Sequence, residues 1–133
     1  MIGLVVATHG NLGTELLASA QMIIGPVRNA MAVSITQESS MEHIRDAIAA
    51  AIAEVVRDGH GVIIVTDMFG GTPANVSMTF LEPQRVEVLT GVNLPMLLKF
   101  FNSQESLARD ELAGILKSYG QQSIALASEY LQR

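Results

Sequence analysis

Residues 2–6 and 62–65 are apolar throughout and show no alternation with polar residues. Strands built from them are therefore buried on both faces. Such strands belong to a parallel sheet covered by helices on each side, which fixes the architecture of the segments between them. Each run ends in a polar cluster and then a helix start: Ala7-Thr8-His9-Gly10 in one case, Thr66-Asp67-Met68-Phe69-Gly70-Gly71-Thr72-Pro73 in the other. Residues at the carboxyl ends of neighbouring central strands face one crevice, and open α/β sheets bind their ligands there.

The rest of the chain repeats strand and helix in turn. Asn11 is placed to cap a helix carrying Leu12, Leu16, Leu17, Ala20, Ile23 and Ile24, stopped by Gly25-Pro26. Residues 30–35 read as a second strand. Ser39-x-x-Glu42 reads as a capping box ahead of Ile44, Ile48, Ala51, Ile52 and Val55 on one helical face, with Gly59 as terminator. After residues 62–66, Thr72 as N-cap and Pro73 at the first helical position predict a short helix to about Leu81. Residues 86–89 form strand four. Gly91-Val92-Asn93-Leu94-Pro95 turns into a helix bearing Met96, Leu97, Phe100 and Phe101, and Ser106 opens a last helix closed by Gly120. Residues 123–127 fit either a strand or a helical extension. The regular alternation predicts an α/β fold in three layers, a mainly parallel sheet between helices.

At 133 residues with 49% hydrophobic and 16% charged residues, the chain suits one domain, 1–133, with a real core. A net charge of −5 with scattered Lys and Arg excludes nucleic acid as the expected partner. No stretch approaches the roughly 18 apolar residues of a membrane span, so no membrane insertion is expected. The absence of cysteine removes thiol and disulfide chemistry and fits a cytoplasmic location.

His9 and Asp67 carry the chemistry. Asp67 can accept a hydrogen bond from one ring nitrogen of His9, which fixes the tautomer and aims the lone pair of the other nitrogen outward. Gly10 leaves the imidazole uncrowded. Gly70, Gly71 and Thr72 bring free backbone N–H groups and a hydroxyl to a helix start, an arrangement that favours phosphate. A nucleophilic nitrogen beside a phosphoryl cradle suits phosphoryl transfer, which asks chiefly for positioning and charge stabilisation. His43 and His60 make no metal-ligand spacing with His9, so no metal is expected. The chain lacks G-x-S-x-G, G-x-x-x-x-G-K-[ST] and G-x-G-x-x-G, and Thr8 stands where a histidine phosphatase would carry arginine.

Thr8-His9-Gly10, Asp67 through Pro73 with Asn75, and Gly91 through Leu97 come in order, and with their spacing the chain resembles, over nearly all its length, the IIA component of the mannose family of the bacterial sugar phosphotransferase system. The resemblance implies that His9 accepts a phosphoryl group on Nε2 from the phosphocarrier HPr and passes it to a IIB protein. It implies that Asp67 holds Nδ1, that Gly10, Gly70, Gly71 and Thr72 contact the phosphate, and that Thr8, Phe69 and Asn93 line the crevice. It further implies a sheet of order 2-1-3-4, an antiparallel edge strand over residues 123–127 exchanged within a homodimer, and no cofactor. Met68-Phe69 departs from the Thr-Trp common in mannose transporters and bears on partner docking. The sequence ends at Arg133 with neither the linker nor the IIB domain that some relatives have fused, so the IIB partner is expected to be a separate protein. A regulatory IIA read out through its phosphorylation state is the alternative. The phosphoryl-donor subunit of dihydroxyacetone kinase resembles the chain too, but typically carries serine where Gly10 stands.

Overall fold

The computed structural model describes residues 1–56 and 59–131. The elements follow the order β1 (Gly3–His9), α1 (Leu12–Ile24), β2 (Ala30–Ile35), α2 (Met41–Val55), β3 (Val62–Thr66), α3 (Thr72–Met78), β4 (Val86–Thr90), α4 (Leu94–Ser103), α5 (Arg109–Gln122) and α6 (Ala127–Tyr130). The four strands form one parallel sheet in the order β2-β1-β3-β4. The expected order 2-1-3-4 is therefore the order found.

Period-two alternation sends the two faces of the sheet into separate cores. Val5 and Ala7 of β1 with Val62 and Ile64 of β3 pack against Ile44, Ile48 and Val55 of α2 and Val76 of α3. Leu4, Val6, Ile63 and Val65 pack the other way, against Leu17 of α1, Leu97 and Phe100 of α4, and Leu112 and Leu116 of α5. Every residue of β1 except His9 is buried, and so is all of β3. Each large aliphatic side chain removed from water this way contributes about 1.5–3 kcal/mol. The central strands are the rigid base on which the site stands.

Several helix ends differ from expectation by a residue or more, each for a local reason. Asn11 has φ −93° and ψ 14°, not the extended conformation of a capping residue, and makes no side-chain cap. Thr8 Oγ1 accepts the Gly13 N–H instead, at 2.8 Å. Ser40, not Ser39, caps α2 by accepting the His43 N–H at 3.1 Å, while Ser39 Oγ accepts from the amide of Thr36. Gly71, not Thr72, is the N-cap of α3. That helix stops at Met78, where the amides of Thr79, Phe80 and Leu81 turn back to carbonyls three residues earlier.

The last long helix begins at Arg109, since Ser106 closes a turn onto the Ser103 carbonyl. It continues past Gly120. That glycine is not a terminator: a Cβ there would lie 2.8 Å from Met96 Cε, so its bareness lets α5 close on α4. Residues 123–127 add no strand to the chain's own sheet among the described residues. Ser123 caps α5, residues 124–126 are irregular, and Ala127 opens α6. Among the described residues no strand pairs with the segment, and Ile124 and Leu126 are left 78% and 63% exposed.

Candidate active site

Ala7 of β1 is in register with Thr66 of β3, the last pair between these strands; beyond it Thr8 and His9 still pair with Ser34 and Ile35 of β2, while Asp67 follows the end of β3 beside them. Adjacency of two parallel strands thus places histidine beside aspartate. Gly10, at φ +56°, turns the chain away and donates its N–H to the Ile35 carbonyl at 2.8 Å. The left-handed conformation there favours glycine.

Asp67 Oδ2 accepts two hydrogen bonds from His9, from ring Nδ1 at 2.8 Å and from the backbone N–H at 3.0 Å. Asp67 Oδ1 accepts the Met68 N–H at 3.1 Å. A carboxylate only accepts, so Nδ1 carries a proton, and in the neutral ring the lone pair is therefore on Nε2. The Asp67 side chain is 13% exposed and the His9 side chain 52% exposed. Burial pushes the Asp67 carboxyl up, but the hydrogen bonds from the His9 ring and amide, with electrostatic attraction to the ring, outweigh it; the carboxyl lies below its ordinary pKa. Asp67 therefore stays ionised at neutral pH and holds the ring by both its position and its charge.

Gly71 lies alongside the imidazole. A Cβ on it would come 2.8 Å from His9 Cε1 and 3.4 Å from Nε2. Gly70, at φ +87°, makes the bend that brings Gly71 there. Thr72 is the first helical residue of α3, whose own bonding starts with Asn75 N–H to the Gly71 carbonyl, so the preceding amides are not used by the helix.

Two expected crevice residues sit elsewhere. Thr8 is fully buried: its hydroxyl bonds the Gly13 amide and approaches the Gly10 carbonyl at 3.5 Å, so it anchors the strand end from beneath. Asn93 caps α4 by accepting the Met96 N–H at 3.0 Å and donates from Nδ2 to the Gly120 carbonyl at 2.9 Å. It lines a groove of about 330 Å³ outside β4, with Phe69 and Ile124, rather than contacting His9. Phe69 itself is 72% exposed. The signal for Asn93 was its place just before Leu94-Pro95, a capping pattern; nothing in the sequence separates Thr8 from Asn11 as the cap of α1.

No three His, Cys, Asp or Glu side chains among the described residues converge to hold a metal. No helix among them is long and apolar enough to cross a membrane. A groove of about 700 Å³ runs between β2 and α2, away from His9. The ring stands on an open surface where a large partner can reach it.

The chain is a parallel α/β domain that presents a half-exposed histidine on a partly buried aspartate at the carboxyl edge of its central strands. Residues 3–116 match the family EIIA-man, described as the PTS system fructose IIA component, and the chain belongs to that family. It is 34% identical to the PTS system fructose-specific EIIA component of Bacillus subtilis, over its full length and 91% of that protein. It is 27% identical to the PTS system mannose-specific EIIAB component of Escherichia coli over 92% of its own length, and spans 38% of that longer protein. The crystal structure of phosphotransferase system component EIIA from Streptococcus agalactiae superposes with a TM-score of 0.87 at 26% identity, covering 97% of this chain and 99% of that one. The chain is thus a IIA component of the sugar phosphotransferase system, as its motifs implied.

Proposed function

We propose that His9 is the phosphoryl acceptor, charged by phospho-HPr and discharged to a IIB protein. The observation that carries this reading is the 2.8 Å bond from His9 Nδ1 to Asp67 on a ring left half-exposed. In the forward step the Nε2 lone pair attacks phosphorus, the new N–P bond forms, and the donor's bond to phosphorus breaks with its electron pair returning to the donor. The Nδ1 proton stays in place. The ring becomes cationic on phosphorylation, and the Asp67 carboxylate offsets that charge. The second transfer reverses these roles toward IIB.

Gly10, Gly70, Gly71 and Thr72 border the position of the phosphoryl group, and no cofactor takes part. The exposure of His9 supports a protein partner over a small molecule, since small substrates are typically enclosed in pockets. The reading includes work in the cytoplasm and a homodimer, the latter supported by exposed Ile124 beside the edge strand β4 and by Leu126, exposed two residues on.

Incubation with radiolabelled phosphoenolpyruvate, the general phosphotransferase enzyme and HPr tests the reading. The chain is expected to take up an acid-labile, base-stable label, lost in His9→Ala. No label on the natural chain, or equal label on the variant, would defeat it.

A further inference from the structure

Gly71 occupies a position where its backbone does not call for glycine. Its φ of −88° and ψ of 168° lie in the extended region open to any residue. It is the N-cap of α3, a place where serine, threonine, aspartate or asparagine would satisfy a free amide that glycine leaves without a side-chain acceptor. The three nearest atoms to a Cβ built at this position are His9 Cε1 at 2.8 Å, His9 Nε2 at 3.4 Å and Met68 Cγ at 3.5 Å. The first of these is closer than non-bonded carbons approach and the third is ordinary contact. The ring of His9 is the obstacle.

From this we infer that Gly71 is a positioning residue for His9: its missing side chain is the space that lets the imidazole lie against the loop with Nδ1 on Asp67 and Nε2 outward. The inference rests on the phosphoryl-acceptor reading of His9 for its kinetic consequence, but the ring geometry stands apart from it. Any side chain at position 71 pushes on Cε1. The ring cannot yield without disturbing its 2.8 Å bond to Asp67, and since one side of it is open to solvent, it yields by swinging outward. The fold is spared because the three atoms nearest to such a side chain belong to His9 and Met68, outside the core. Gly70 offers the contrast: its φ of +87° requires glycine for the backbone, and a Cβ there meets nothing within 4 Å.

Gly71→Ala and Gly71→Ser in the full chain separate these roles. Both are expected to fold, with melting temperatures at or above that of the natural chain for serine, which adds a capping hydroxyl. Nitrogen NMR of the His9 ring is expected to show the single Nδ1–H tautomer of the natural chain replaced by a mixture of both. Transfer from phospho-HPr is expected to fall roughly a hundredfold, in kcat more than in KM, as misplacement of a reacting group does. An unchanged tautomer in both variants overturns the inference, whatever the rate, because Gly71 would then act on the phosphoryl group or the partner directly. Failure of both variants to fold overturns it as well, since the backbone at this position admits any residue. A natural chain that takes up no phosphate defeats the acceptor reading instead, and the NMR comparison still decides the role of Gly71.

Discussion

Asp67 Oδ2 holds His9 twice, through the ring and through the main-chain amide of the same residue. One oxygen thereby fixes both where the strand end lies and which ring nitrogen is free. This is stricter than a side-chain contact alone, since moving the carboxylate moves the backbone that carries the nucleophile.

Asp67→Asn is expected to keep the fold and slow phosphoryl transfer. An amide oxygen still accepts from Nδ1, but the charge that stabilises the phosphorylated ring is gone and the amide can flip its NH2 toward the ring. Loss of a charged hydrogen bond is worth about 1.5–3 kcal/mol, or roughly 10- to 100-fold in rate. Stopped transfer assays with phospho-HPr check this, and a rate equal to the natural chain's would remove Asp67 from the mechanism.

The lowered pKa of Asp67 makes its contact with His9 a source of pH-dependent stability. Because the folded value lies below the ordinary 3.8, the unfolded chain binds more protons in that range, so the stabilisation is fully present above the ordinary value. It is lost as pH falls through the folded value. Denaturant unfolding of the natural chain and Asp67→Asn is therefore expected to show a stability gap that is present above the ordinary carboxylate range and closes in acid. A gap that widens in acid would contradict the sign.

Thr8 is expected to matter through α1 rather than through the crevice surface. Thr8→Val keeps the volume and removes the acceptor of the Gly13 N–H in a fully buried place. A loss of about 1 kcal/mol, within the range of lost helix caps, is expected by chemical denaturation, with Thr8→Ser close to the natural chain. Asn11→Ala, by contrast, is expected to change stability by less than about 0.5 kcal/mol, as at ordinary surface positions.

The large features of the fold were legible because they rest on patterns that many residues share. Residues 2–6 and 62–65 could be placed in the centre of a sheet since neither run offers a polar face. His9 and Asp67 could be paired because both strands end in polar residues at matching places. Choices among neighbouring polar residues were not legible. Ser39 and Ser40 both suit a cap, and only the folded backbone decides between them, giving Ser40 the His43 amide and Ser39 that of Thr36. Gly120 looked like a helix end, yet the close passage of Met96, set by how α4 crosses α5, makes it a packing residue. Asn93 was placed in the crevice by its loop, while its side chain turns inward to hold α4 and α5 together. Residues 123–127 carry exposed apolar side chains and, among the described residues, have no partner strand, so a pattern within one chain has nothing there to report.

That segment gives a direct expectation for assembly. Light scattering of the full chain is expected to return the mass of two copies, and Ile124→Asp combined with Leu126→Asp is expected to return that of one. Both side chains are exposed in the single chain, so the change does not touch its core. A natural chain that is monomeric at every concentration would remove the homodimer from the reading.

The central claim is that Asp67 fixes the proton on Nδ1 so that Nε2 takes the phosphate. Nitrogen and phosphorus NMR of the chain phosphorylated through HPr tests it at the atom concerned. The account predicts phosphorus coupled to Nε2 of His9 alone, with Nδ1 still protonated. Phosphorus bonded to Nδ1, or to a histidine other than His9, would contradict it.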